Sequence, residues 1–136
     1  SYHKKLSYYA RFRYEELPDV AKNKSTDIET QKSGADVVIV LHTEKSSRLI
    51  LLDENGTNFS SREFATFIEK QGVSGNSDLT FVVGGPYGFH PSLKEKAYAL
   101  ISLSKMTFTH QMVRLIFSEQ LYRCFTILKG EPYHHD

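Results

Sequence analysis

The sequence is short of the features that assign a chain early. Among its 136 residues there is one cysteine, Cys124, so an intrachain disulfide framework and a multi-cysteine metal site are both ruled out. A reducing, cytoplasmic compartment is the simplest expectation from that usage. No run approaches the roughly 18–20 consecutive apolar residues of a membrane helix, and no signal-peptide pattern opens the chain. An excess of one charge is missing too: 17 Lys and Arg face 16 Asp and Glu, for a formal net charge of +1. That removes the usual ground for bulk nucleic-acid affinity, and any RNA or DNA binding has to come from a local patch. Internal repeats, low-complexity tracts and a dividing linker are also lacking, so one domain over residues 1–136 is expected. There is no initiating Met: the chain starts at Ser1, residues 2–12 read as the middle of something, and an upstream segment outside this sequence is expected.

What is present fits one globular domain. The sequence is 40% hydrophobic and 24% charged, too apolar for a disordered tail and too short for two full cores. Arg11–Leu17 reads as a strand broken by Pro18. Arg48–Asp53 is a nearly continuous apolar run ending at Asn55-Gly56, which suits a strand buried on both faces. Ser60 followed by Glu63 has capping-box form, and Phe64, Phe67 and Ile68 then lay one apolar stripe on a helix. Leu79–Val83 and Leu100–Leu103 are further strands, Pro91 opens a short helix, and Thr107 or Thr109 caps a long helix ending near Leu128. Alternation of this kind predicts an α/β domain with a mainly parallel sheet. Val37–Leu41 is two-sided: its β-branched run favours a strand, yet Ile28, Gln31, Ala35, Val38 and His42 recur at helical spacing.

The last helix carries more apolar surface than a sheet-covering helix needs. Val113, Phe117, Leu121, Cys124 and Leu128 form one stripe, Met112, Ile116 and Ile127 widen it, and Leu115 and Tyr122 lie opposite. The excess fits either a second subunit or a deeply buried helix.

Ligands in open parallel sheets bind outside the carboxyl ends of the strands. Three such ends stand out: Leu52-Asp53, the Gly84–Gly88 segment GGPYG, and Leu103–Phe108. GGPYG is neither a dinucleotide nor a P-loop fingerprint, and on its own a tight turn is the better reading. The hydroxyl-rich stretch Ser102–His110 suits backbone contacts to a heterocycle, or plain helix capping. The tail gathers Tyr133, His134, His135 and Asp136. Histidines act as bases near neutral pH, although a polar terminus ordinarily frays. Adjacent histidines rarely point the same way, so no metal site is expected. Lys4, Lys5, Arg11 and Arg13 interleave with Tyr2, Tyr8, Tyr9, Phe12 and Tyr14 before any acid occurs. That mixture suits RNA backbone and base stacking, or half-buried packing with solvated charges.

Taken in order, GGPYG, SLSKMTFTHQ, EQLYR and GEPYHH are more specific than their parts. The segments 81–89 and 101–135 closely resemble the RlmH family of SPOUT methyltransferases, and the region from Arg48 does so more loosely. The resemblance implies an α/β fold with a deep C-terminal trefoil knot, acting as a homodimer without metal and away from membranes. It implies methyl transfer from S-adenosylmethionine to N3 of a pseudouridine in 23S ribosomal RNA of the assembled 70S ribosome. It assigns Leu52, Gly84, Leu103, Ser104, Lys105, Met106, Thr107 and Phe108 to the cofactor. It assigns catalysis to the tail, with His134 as base or proton relay and Tyr133 orienting or stacking the target base. Arg114, Arg123, His110 and His135 are then the RNA contacts, the two arginines also serving to stabilise the developing anion or simply pairing with Glu119. Donor and base groups from different subunits are allowed by this picture. A family helix near Asp27–Leu41 tips the reading of that stretch to helix. The rival functions are a non-catalytic RNA-binding module and a SPOUT methyltransferase for another RNA site.

Overall fold

The computed structural model describes residues 2–9, 12–16, 35–41, 48–73, 79–84 and 89–135. Its strands are β1 (Phe12–Glu16), β2 (Ala35–Leu41), β3 (Arg48–Asn58), β4 (Leu79–Gly84) and β5 (Ala99–Ser102). Its helices are α1 (Tyr2–Tyr9), α2 (Ser61–Val73), α3 (Pro91–Lys96) and α4 (His110–Leu128). The strands form one sheet of order β1-β2-β4-β3-β5. The expected parallel character is confined to β4-β3-β5, while β2 pairs antiparallel with both β1 and β4.

The helix expected near Asp27–Leu41 is not what forms: Ala35–Leu41 is strand β2. Residues 27–34 of that stretch lie outside the described residues. The reason is tertiary. Val37–Leu41 pairs with β1 on one side and β4 on the other, which satisfies the backbone of a β-branched run in both directions. A weak helical spacing cannot match two ladders of hydrogen bonds. The helix α1 had no counterpart in the reading of residues 2–12.

Ile50 and Leu51 of β3 are fully buried, and they face opposite sides of the sheet. On one face Ile50, Leu52, Phe81, Val83 and Ile101 pack against α1, α2 and α4 through Leu6, Phe64, Phe117 and Leu121. The Phe81 and Phe117 rings meet at 4.8 Å. On the other face Leu51 and Val82 pack with Phe89, backed by Leu93 of α3. Each such buried side chain stabilises the fold by about 1.5–3 kcal/mol.

The capping box forms as read: Glu63 N donates to Ser60 Oγ at 3.1 Å, and Ser60 N to Glu63 Oε1 at 2.8 Å. The Ser60 backbone N–H first, and the Ser60 hydroxyl second, hold the Glu63 carboxyl below its ordinary range. Thr109, not Thr107, caps α4, accepting from Met112 N at 3.2 Å. Gly130, at φ 70°, turns the chain out of α4.

Candidate functional site

Register brings the three strand ends to one edge. Leu52 of β3 pairs with Val83 on β4 and with Ile101 on β5, all parallel. Gly84 and Ser102 therefore stand on either side of the end of β3, about 10 Å apart at ordinary strand spacing. β3 does not stop at Asn55-Gly56 as expected. It bulges after Leu52 and rejoins β5, where Thr57 pairs with Ile101 and Asn58 with Ser102. Gly56 makes this possible, since a Cβ there would lie 2.5 Å from Leu100 C and 2.7 Å from Ile101 N. Asp53, with a largely buried carboxylate, locks the bulge: it meets Lys94 Nζ at 3.1 Å and accepts from Asn55 N at 2.9 Å.

The loop 103–108 is held by its own polar groups. Ser102 Oγ donates to Ser104 O at 2.8 Å, and Met106 N donates to Ser104 Oγ at 3.0 Å. Thr107 Oγ1 donates to Glu54 Oε2 at 2.9 Å, and Asn58 Nδ2 to Ser102 O at 3.1 Å. Both ties bind the loop to the end of β3. Lys105 is exposed. Met106 is 73% exposed and Phe108 38%, apolar surface that the core does not use. Leu52 is buried, and Leu103 is half-buried. Gly84 lies under the Phe89 ring, which a Cβ would meet at 3.1 Å. Gly85–Gly88 lie outside the described residues.

The tail folds back on α4 instead of fraying. Arg123 sits at its centre, donating to Glu119 Oε1 from Nε at 3.0 Å and from a terminal nitrogen at 2.6 Å. Its other terminal nitrogen is 3.0 Å from His134 Nδ1. A guanidinium only donates, so Nδ1 accepts and the proton of the neutral ring sits on Nε2. The guanidinium also lies 4.9 Å from the Tyr133 ring centroid. Tyr133 donates to Glu119 Oε1 at 3.2 Å. Burial, then hydrogen bonding with Tyr2 and the nearby Glu119 carboxylate, push the Tyr133 hydroxyl up to about 12. At neutral pH it is a donor, not a base. The Glu119 hydrogen bond raises Arg123 above its ordinary value, which fixes its charge.

Loop and tail stand at different levels of α4. The loop ends at the N-cap Thr109, whereas the tail is pinned at Glu119 and Arg123. Ten helical residues separate Thr109 from Glu119, about 15 Å along the axis. Arg114 lies with Lys5, Tyr2, Tyr14 and Leu115 along a groove of about 480 Å³ between α1 and α4. His110 is the first residue of α4; its side chain lies outside the described residues. His135 is exposed beyond the pinned tail. Among the described residues, no group of three or more His, Cys, Asp or Glu is placed to hold a metal ion, and no helix is long and apolar enough to cross a membrane.

Glu119 was read only as a pairing partner for arginine, yet it anchors both Arg123 and Tyr133. The spacing from Glu119 to Arg123 was a visible signal for their pairing. Glu131 carries no signal of its own in the sequence, and Tyr2 and Tyr9 are marked there only as part of a basic–aromatic mixture and not as partners of the tail, because α1 reaches the tail from the far end of the chain.

Residues 1–134 match the protein family described as "Predicted SPOUT methyltransferase". Several relatives carry the name "Ribosomal RNA large subunit methyltransferase H". The one from Christiangramia forsetii is 51% identical over 134 residues, covering 98% of this chain and 85% of the relative. The one from Flavobacterium johnsoniae is 49% identical, with 98% and 85% covered. The one from Porphyromonas gingivalis is 45% identical over 135 residues, with 99% and 86% covered. Matches of this extent leave one conclusion: the chain belongs to the SPOUT methyltransferase family.

Proposed function

We propose that this chain methylates 23S ribosomal RNA, using S-adenosylmethionine and taking N3 of a pseudouridine in the assembled 70S ribosome as acceptor. In this reading it works in the cytoplasm as a homodimer. The C-terminal part of the chain forms a trefoil knot in this reading. The names of the relatives support the ribosomal target. The observation that carries the reading is the convergence of three strand ends on one edge, beside apolar side chains that the core leaves exposed.

That edge fits the cofactor in chemical kind. Leu103, Met106 and Phe108 offer apolar surface for the faces of an adenine, whereas the Leu52 side chain is taken up by the core and brings mainly backbone to the edge. Gly84 brings only backbone to the edge from β4, its missing side chain leaving room for the Phe89 ring. The hydroxyls of Ser104 and Thr107 are engaged in shaping the loop, so the backbone of 103–108, Lys105 included, serves the polar edge. When bound, the cofactor supplies an electrophilic sulfonium methyl.

The acceptor nitrogen has to lose a proton and carry its charge onto the flanking carbonyl oxygens. Arg123 occupies Nδ1 of His134, so the ring presents Nε2–H. Donation from Nε2 to one of those oxygens stabilises the imide anion. To take the N3 proton the ring has to release Arg123: Nδ1 then accepts that proton, and the imidazolium hands it on to water after the methyl has moved. Tyr133, a neutral phenol, orients the base. Arg114, His110 and His135 contact the RNA backbone. The separation of loop from tail along α4 favours a site shared by two subunits, one supplying the loop and the other the tail. Met112 and Leu115, both about half exposed on the first turns of α4, supply apolar surface for such a contact.

Incubation of 70S ribosomes with the protein and labelled cofactor, followed by mass-spectrometric mapping, tests this directly. One N3-methylated pseudouridine in 23S RNA is expected. Label in another RNA overturns the target. Calorimetry showing no affinity for S-adenosylmethionine leaves the RNA-binding reading. Unchanged turnover in both His134→Ala and Tyr133→Phe removes the tail from the chemistry. Mixed dimers of Met106→Glu and His134→Ala protomers regain activity if the site is shared, and stay inactive if each chain acts alone.

A further inference from the structure

Helix α1 meets the tail at contacts the chemistry above does not use. Leu6 is 1% exposed within the main core and anchors α1 against the sheet and α4. From that anchor the Tyr9 ring stacks on Phe125, with centroids 5.8 Å apart and planes 5° from parallel. It stands edge-on to Tyr122 at 6.0 Å. The Tyr9 hydroxyl donates to the Glu131 carboxylate. Glu131 is also a backbone element of the turn that carries the tail: its N–H donates to Thr126 O, and its carbonyl accepts from Tyr133 N, both at 2.9 Å. At the other end of α1, Tyr2 packs on Tyr122 at 6.0 Å, and Tyr122 takes Tyr133 edge-on at 4.8 Å.

We infer that Tyr9 is a positioning residue for methyl transfer: by holding the Glu131 side chain, it fixes the turn that delivers Tyr133 and His134. The inference rests on the methyltransferase reading above. Two aromatic contacts fix the Tyr9 ring, so its hydroxyl is a preorganised donor, whereas Glu131 sits exposed on a short segment past the end of α4. An unheld tail populates many conformers, and only the fraction with His134 in place is competent. Tyr9 touches neither the cofactor edge nor the acceptor in this arrangement, so its effect falls on turnover and not on cofactor binding.

The test is Tyr9→Phe in the full chain, which keeps both ring contacts and deletes only the donor. Turnover on ribosomes falls about tenfold, with KM for S-adenosylmethionine and the unfolding midpoint near wild type. Glu131→Gln, which keeps an acceptor oxygen, retains most of the activity. Glu131→Ala matches Tyr9→Phe, and the double variant is no slower than either. Hydrogen exchange gives a readout independent of catalysis: amides 131–135 exchange faster in Tyr9→Phe, while amides 117–126 do not change. Wild-type turnover in Tyr9→Phe overturns the inference, and so does a loss that follows a lowered midpoint or a raised KM. If the wild-type protein fails to methylate ribosomes, the methyltransferase reading itself falls. Equal exchange of the tail in both proteins overturns the Tyr9 inference on its own.

Discussion

The carboxyl edge of the sheet and the C-terminal tail are built by opposite means. At the edge, position is set by backbone: strand register, a bulge in β3 and a glycine pressed against β5. Side chains there either tie loops together or stand exposed. The tail lacks a ladder, and side chains hold it: Glu119, Arg123, Tyr133 and His134 in one connected set. An edge of the first kind tolerates side-chain change but not a Cβ in the wrong place. A tail of the second kind fails when one side chain is shortened.

Arg123→Ala should break the tail half most severely. It removes the donor to His134 Nδ1, both bonds to Glu119 and the cation over Tyr133. Turnover on ribosomes is expected to fall by about 100-fold, the scale of a misplaced catalytic group. Calorimetric affinity for S-adenosylmethionine should not change, because the edge lies at another level of α4. Equal losses of affinity and turnover would show that the two regions are not independent.

Gly56→Ala should break the other half. The added Cβ meets the backbone of Leu100 and Ile101, which cannot swing aside as a side chain would. Overpacking of this kind costs about 1–3 kcal/mol, a drop of several degrees in Tm. Cofactor affinity should fall with it, as the end of β3 shifts and the Glu54–Thr107 tie with it. Hydrogen exchange in 131–135 should stay as it was. A normal Tm and affinity would mean that the edge is not set by backbone contact.

Much of the edge was legible because its signals are local. The Ser60–Glu63 box and the helix opened by Pro91 act within a few residues and form as read, Thr109 is one of the two caps offered, and the apolar run opens β3, although the strand continues past Asn55-Gly56. The family resemblance and the strand ends pointed to the same loops. β2 was misread because helix or strand there depends on two partner strands, which no window around Val37–Leu41 contains. The tail was legible only in part. Glu119 and Arg123 are one helical turn apart, but the bonds from Arg123 to His134 and from Tyr9 to Glu131 close over 11 and 122 residues. Sequence pattern finds the residues that carry chemistry more readily than those that hold them.

Ser60→Ala sharpens the contrast with a smaller effect. The substitution removes the cap acceptor for Glu63 N at the start of α2, next to the edge but outside its loops. A loss of about 1 kcal/mol in urea unfolding is expected, with turnover and cofactor affinity unchanged. A change in affinity would extend the edge into α2. The cap also carries a pH signature. Glu63 is held below its ordinary value in the fold, so its contribution is complete above that value and is lost as pH falls through the lowered one. Ser60→Ala keeps the backbone N–H and removes only the smaller contribution of the hydroxyl, so it should cost slightly less in acid than at neutral pH.

Alkaline pH separates tail from core. Tyr133 is raised from 10.0 to about 12, and the Cys124 thiol, buried in the core, from 9.0 to about 12. Both groups are neutral when protonated, so the fold favours the protonated form. Stability from each is therefore complete below its ordinary value and is lost as pH rises through about 12. The decline begins near pH 9 for Cys124 and near pH 10 for Tyr133. Urea unfolding in steps from pH 8 to pH 11 should show a loss that Cys124→Ala flattens from its start and Tyr133→Phe flattens only at the top. Tyr133→Phe should also slow turnover at neutral pH, where Cys124→Ala leaves it alone, because only the tyrosine belongs to the set around Arg123. If neither variant changes the alkaline slope, the Tyr133 hydroxyl is not desolvated, and the tail stands further from α1 and Glu119 than these contacts place it.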